Sequence, residues 1–207
     1  MNILITGVSS GLGKAFLACH GTASSVYGMS RSAERPHVFR YDEIALLPPP
    51  SVLVLNAAVG DYGLDFQQFD ASKFEHILQV NLVQPLSLLA EMHQHGKLTS
   101  LRALIAIGSR FSSTKFTELS EADELPGYGY CLSKIALAQF IVMIRKEKFS
   151  FASNIVHPGV LQTDLGSQDG WPAALMAKKL HALILDSVFD KEFPGIYNLP
   201  TDELIPF

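Results

Sequence analysis

Seven short apolar runs are spread along the chain, at Asn2–Thr6, Ser25–Met29, His37–Arg40, Ser51–Asn56, Arg102–Gly108, Ala152–His157 and Gly195–Leu199. Most are unbroken rather than alternating. A strand with one solvated face alternates apolar with polar residues, whereas a strand covered on both faces has no polar side to present. Stretches with helical periodicity at Gly11–His20, Ser72–Gln94, Tyr128–Lys148 and Pro172–Leu183 can supply that cover. The pattern predicts an α/β fold of Rossmann type. It should hold a doubly wound, mostly or fully parallel sheet of about seven strands, in a single domain spanning 1–207. Two connections are unusual. DEIALLPPP leaves little room for a helix, and Pro48, Pro49 and Pro50 would stop one. Arg110–Gly127 is long, polar and serine-rich, as active-site loops often are.

At 207 residues, 48% of them hydrophobic and 17% charged, the chain can bury a substantial core. The net charge of −4 comes without a basic cluster, which argues against nucleic acid or an anionic membrane as partner. Cys19 and Cys131 have neither metal-like nor redox-like spacing, and the histidines show no ligand spacing, so no metal site is expected. His93 and His95, two apart on a helix, face different ways. No apolar run reaches membrane-spanning length, and the first strand follows Met1 almost at once, so a cytoplasmic protein is expected.

TGVSSGLG, at Thr6–Gly13, joins the first strand to the first helix. It is not a P-loop, because Val8 and Ala15 stand where that motif needs glycine and Ser or Thr. Nor is it G-x-G-x-x-G, since the glycines fall at Gly7, Gly11 and Gly13. The mechanical demand is nevertheless that of a dinucleotide turn: a sharp bend, close approach by an anion, and helix N-terminal amides aimed at it. A structural turn with no ligand is the alternative. Further on, Tyr130 and Lys134 stand four apart in YCLSK and share one helix face. A cation beside a phenol should lower its pKa from about 10 and make a general acid/base. A solvated helix face would give the same spacing. Ser109 ends the fifth run, Asn56 the fourth, Asn81 lies within a helical stretch, and Thr163 follows Pro158-Gly159. Each alone reads as a cap, a turn former or a polar surface residue.

Taken in order, these motifs resemble the short-chain dehydrogenase/reductase family, in its single-domain branch. The resemblance covers almost the whole chain and rests on TGVSSGLG, LNAA at Leu55–Ala58, Asn81, Ser109, Tyr130-x-x-x-Lys134, and Pro158-Gly159 followed by Thr163. It implies a nicotinamide cofactor and a small-molecule carbonyl or alcohol substrate. By resemblance Tyr130 is the acid/base, Ser109 holds the substrate oxygen, Lys134 holds the nicotinamide ribose, and Asn81 supports a relay water. The implied cofactor contacts are Gly7, Ser9, Ser10, Gly11, Leu12, Gly13, Asp42, Asn56, Ala57, Ala58, Tyr130, Lys134, Pro158, Gly159, Val160 and Thr163.

Arg31 decides between the two nicotinamide cofactors. An acid after the second strand would bind the ribose hydroxyls of NAD(H), but here Ser30 is followed by Arg31, which suits a 2′-phosphate. NADP(H) is expected, with NAD(H) as the alternative. The chain departs from the family pattern in three places. LNAA stands for Asn-Asn-Ala-Gly, twenty residues separate Ser109 from Tyr130, and the segment after Thr163 is short. Tyr128 competes for the acid/base role, but its i+4 partner is Leu132. A non-catalytic NADP(H) sensor is the rival reading; a sugar-nucleotide epimerase fits the glycine spacing less well. Leu82, Leu86, Leu89, Leu137, Phe140 and Ile144 put apolar residues on several sides of two long helices, so a homodimer or homotetramer is expected. Pro85 breaks the Ser72–Gln94 stretch and removes the donor for the carbonyl of Asn81. Either it leaves that carbonyl to a water shared with Lys134, or it merely bends the helix.

Overall fold

The computed structural model describes residues 1–32, 35–121, 124–147 and 149–207. Lys148, two residues of the Arg110–Gly127 stretch and two residues that follow Arg31 and Ser32 thus lie outside the described residues. The strands are β1 (Asn2–Thr6), β2 (Ser25–Ser30), β3 (Val38–Arg40), β4 (Val52–Leu55), β5 (Ala103–Ile107), β6 (Ala152–His157), β7 (Ile196–Asn198) and β8 (Glu203–Ile205). They form one sheet in the order β3-β2-β1-β4-β5-β6-β7-β8. Neighbours from β3 to β7 pair in parallel, and β8 returns antiparallel to β7. The doubly wound sheet expected from the unbroken runs is therefore present, with one strand more than expected.

The continuous runs have the burial they called for: every residue of β4 and β5 is buried. One face of the sheet packs on α1 (Gly11–Leu17) and α6 (Ala173–Leu185), through Leu12, Phe16, Met176, Leu180 and Ile184. The other carries α3 (Gln84–Gln94) and α5 (Tyr128–Ile144), through Leu88, Met92, Leu137, Ile141 and Ile144. Each fully buried side chain of this size contributes about 1.5–3 kcal/mol, so both layers are firmly held.

Some expectations need correction. DEIALL does form a short helix of 3-10 type, Tyr41–Leu46, which ends before the prolines. Within the long loop, α4 (Thr114–Leu119) and a 3-10 turn at Arg110–Ser112 are ordered elements. The helix expected over Ser72–Gln94 is continuous but not uniform: α2 (Ala71–Leu78) runs through a π turn at Gln79–Val83 into α3. Pro85 is the cause: having no N–H, it cannot close an α-helical bond to Asn81. The chain widens by one residue, so that Gln84 N donates to Gln79 O instead. Of the apolar residues expected to need a partner chain, Leu89, Leu137 and Ile144 are core, while Leu82, Leu86 and Phe140 pack against it. The exposed apolar residues of this layer are Val83, Leu132 and Met143.

Candidate active site

Parallel strands deliver their following loops to one edge of the sheet, and ligands collect where the strand order reverses, here between β1 and β4. A cleft of about 1100 Å³ opens there. It is lined by the glycine turn, the segment after β4, Ser109, Tyr130, Lys134 and the segment after β6. Sites for cofactors and small molecules usually measure about 300–1,000 Å³, so there is room for a dinucleotide and a small substrate.

The glycine turn is built for close approach. Gly7 and Gly11 sit at φ +72° and +52°, in the left-handed region that favours glycine. A Cβ on Gly7 would stand 2.7 Å from Ala57 Cα, and one on Gly13 2.2 Å from Gly7 O. Thr6 and Asn56 lock the turn to β4. Asn56 N and Ala57 N donate to Thr6 Oγ1 at 2.9 and 3.0 Å, and Asn56 Nδ2 donates to Thr6 O at 2.9 Å. Gly7, Ser9, Ser10, Gly11 and Leu12 face the cleft, as do Arg31, Asn56, Ala57, Ala58, Pro158, Gly159, Val160 and Thr163. Gly13 is buried beneath the turn, where it lets the helix pack closely. Asp42 does not line the cleft; its carboxylate pairs with Arg40, which also lowers its pKa. Its cleft-facing neighbour is Tyr41, near enough to Arg31 to feel its charge.

Ser109 ends β5 and opens the 3-10 turn, its Oγ accepting from Phe111 N at 3.3 Å. The capping role that it could have had and the place in the cleft thus coincide. Tyr130 and Lys134 project from one face of α5, with Lys134 Nζ 5.6 Å from the centre of the Tyr130 ring. Lys134 is 2% exposed and donates to Ile107 O at 2.8 Å. Burial lowers its pKa to about 8. The expected lowering of the Tyr130 pKa is not found: burial pushes it up to about 12, and the Ser109 hydroxyl pulls the other way without offsetting it. Desolvation is the largest cause of the shift, and the Lys134 ammonium makes its hydrogen bond to the Ile107 carbonyl, with no bond to the phenol. Tyr128 lies outside the cleft lining, edge-on to Phe66 at 6.0 Å between ring centres.

Asn81 is buried and outside the cleft. Its Oδ1 accepts from Val59 N at 2.8 Å, and its Nδ2 donates to Val59 O at 2.8 Å and Ser133 Oγ at 3.0 Å. The side chain therefore staples the segment after β4 to α5. A cavity of about 10 Å³, close to the minimum for one water, lies beside Asn81 and Pro85 but is bounded by Thr6, Tyr41 and Leu137 rather than Lys134. Trp171 is 46% exposed and stands outside the cleft lining, its backbone N donating to Val160 O at 2.7 Å. Among the described residues no cluster of His, Cys, Asp and Glu could hold a metal, and no helix is long and apolar enough to cross a membrane.

Two features of the cleft are not legible from motifs. The Asp61 carboxylate accepts from Gly129 N and Tyr130 N at 3.0 and 2.9 Å. His157, at the end of β6, is 9% exposed and leaves Nδ1 without a partner; burial, with the charge of Arg110, lowers its pKa to about 4.

No protein-family model and no curated protein matches the chain. Solved structures do match, over their full length. A carbonyl reductase from Pseudomonas aeruginosa PAO1 superposes with a TM-score of 0.77 at 18% identity, covering 100% of this chain and 99% of that one. The fold is that of the short-chain dehydrogenases and reductases. The carbonyl reductase Sniffer of D. melanogaster gives 0.76 at 18%, with 100% and 99% covered. A short-chain dehydrogenase/reductase from Burkholderia multivorans with bound NADP gives 0.74 at 17%, again with 100% and 99% covered.

Proposed function

We propose that the protein is an NADP(H)-dependent oxidoreductase that interconverts carbonyls and alcohols, with Tyr130 as its acid/base. The observation that carries this reading is that Ser109, Tyr130 and Lys134 share one cleft with the glycine turn. The residues present fit a dinucleotide. Left-handed glycines bring the backbone to the cleft wall at Gly7 and Gly11, and Arg31 supplies a cation where a 2′-phosphate would lie. A hydrogen bond to a charged group is worth about 1.5–3 kcal/mol, or roughly 10- to 150-fold in affinity. The NADP held by the similar Burkholderia structure supports the same choice over NAD(H).

When bound, the nicotinamide supplies the hydride. Tyr130, a protonated phenol at neutral pH, donates its proton to the substrate oxygen as charge develops there, and this form suits reduction. The Ser109 hydroxyl donates a hydrogen bond to the same oxygen. Lys134 lines the cleft and would hold the ribose through the N–H donors that its bond to Ile107 O leaves over. Tyr62, whose hydroxyl donates to Asp164 O at 2.9 Å, and Leu165 line the cleft on the side of Tyr130.

The test is NADPH consumption against a panel of aldehydes, ketones and quinones. Turnover on members of one class supports the reading. Tight NADPH binding with no turnover on any of them would favour a redox sensor instead.

A further inference from the structure

The run Gly127-Tyr128-Gly129-Tyr130 opens α5, and this helix start has no capping side chain of its own. The cap comes from Asp61, far upstream in the chain. Its Oδ2 accepts from Gly129 N at 3.0 Å, its Oδ1 from Tyr130 N at 2.9 Å, and its backbone carbonyl from Gly127 N at 3.0 Å. Three of the orphan amides at the helix start thus converge on one residue. The carboxylate also opposes the positive end of the helix dipole.

The glycines are what admit it. A Cβ on Gly127 would lie 2.1 Å from Asp61 Cγ, and one on Gly129 3.2 Å from Asp61 Oδ2. Gly127 has φ −64°, open to any residue, so the backbone does not need a glycine there; the carboxylate does. Two residues before Asp61, Val59 is gripped through both its N–H and its carbonyl by Asn81, which in turn donates to Ser133 Oγ. Ser133 Oγ donates to Tyr130 O at 2.8 Å. The segment from Asn56 to Tyr62, a wall of the cleft, is therefore fastened to α5 at both ends of the Tyr130 backbone.

We propose that Asp61 is the residue that positions Tyr130. Its carboxylate fixes the first turn of α5 in register with the cleft wall, and Gly127 is required to make room for it. This proposal rests on the reading of Tyr130 as the acid/base. Misplacing a reacting group by about 1 Å costs on the order of 10²-fold in rate.

The experiment compares Asp61→Ala, Asp61→Asn, Gly127→Ala and the Asp61→Ala/Gly127→Ala double variant, with Tyr130→Phe as control. Each is assayed for kcat, KM and NADPH binding in the full-length protein. The expected result is a fall in kcat of about 10- to 100-fold for Asp61→Ala and for Gly127→Ala. NADPH affinity should stay near wild type, and Asp61→Asn, which keeps one acceptor oxygen, should recover part of the rate. Once Asp61 is alanine the added Cβ meets no carboxylate, so the double variant should be no slower than Asp61→Ala. If Asp61→Ala does not fold, Gly127→Ala and Asp61→Asn decide by the same split between kcat and NADPH affinity. Wild-type kcat in these variants, or a Gly127→Ala penalty that is the same with and without Asp61, overturns the positioning role. An active Tyr130→Phe would instead reject the assignment of the acid.

Discussion

His157 should make the protein sensitive to mild acid. Its side chain is 9% exposed, Nδ1 has no hydrogen-bond partner, and the nearby Arg110 guanidinium opposes a second positive charge. The folded state holds its pKa near 4, against 6.5 when the ring is free. Between those values the unfolded chain binds a proton that the folded chain refuses. Stability is therefore full above pH 6.5 and is lost as the pH falls towards 4. At 1.36 kcal/mol per pKa unit, the loss between pH 7 and pH 4.5 is about 2 kcal/mol. The carboxylates with lowered pKa values, Asp42, Asp70 and Asp202, act below about pH 3.8 and leave this window clear. His181, also lowered by burial, contributes in the same direction, so the variant is the control. Urea unfolding of wild type and His157→Gln at the two pH values measures the difference. The wild type should lose about 2 kcal/mol more than the variant. Equal losses would mean that His157 is protonated in the folded protein and that the cleft admits the charge.

Arg31→Ala should cut NADPH affinity by roughly 10- to 150-fold and leave NADH affinity nearly unchanged; equal wild-type dissociation constants for the two would refute the cofactor assignment. Lys134, with its pKa lowered from 10.5 to about 8, is charged at neutral pH at a cost of about 3 kcal/mol. Lys134→Met should therefore raise the Tm measured at pH 7 while abolishing turnover and weakening NADPH binding, whereas a lower Tm would mean that the bond to Ile107 O outweighs the burial. The same shift makes the stability of the wild type rise relative to that of the variant from pH 8 to 10.5, while the raised pKa values of Cys131, Tyr130 and Tyr197 lower stability in both. Val83, Leu132 and Met143 leave apolar surface on the α3–α5 layer, and light scattering should report a dimer or tetramer; a monomer at micromolar concentration counts against it.

What could be read from the sequence is what unbroken runs and fixed spacings encode. The parallel strands announced themselves because both faces are buried. By contrast β8 was invisible: Glu203 and Leu204 are exposed, and the strand exists only as the return from a turn with Asp202 at φ +60°. Pro85 marked a disturbance, but periodicity cannot tell a kink from a π turn. Tyr130, Lys134 and Ser109 were legible because the roles proposed for them impose residue type and spacing, and they line one cleft. Asp61 was not, because an acid in a glycine-containing loop reads as a turn former, and its partners lie more than sixty residues away. Asp42 went the other way: position suggested a ligand contact, but Arg40, two residues before it, pairs with its carboxylate. The depth of burial around Tyr130, which sets its pKa, is a property of the assembled cleft that no local pattern carries.

The central claim, that a phenol in this cleft moves the proton, is tested most directly by turnover of Tyr130→Phe beside Tyr128→Phe. The Tyr130 hydroxyl is removed from a packed helix face, so the fold and NADPH binding should survive while kcat falls by about 10²–10⁴, the span of general acid catalysis. Tyr128, outside the cleft, should be replaceable with little effect. Full activity in Tyr130→Phe together with loss in Tyr128→Phe would contradict the account.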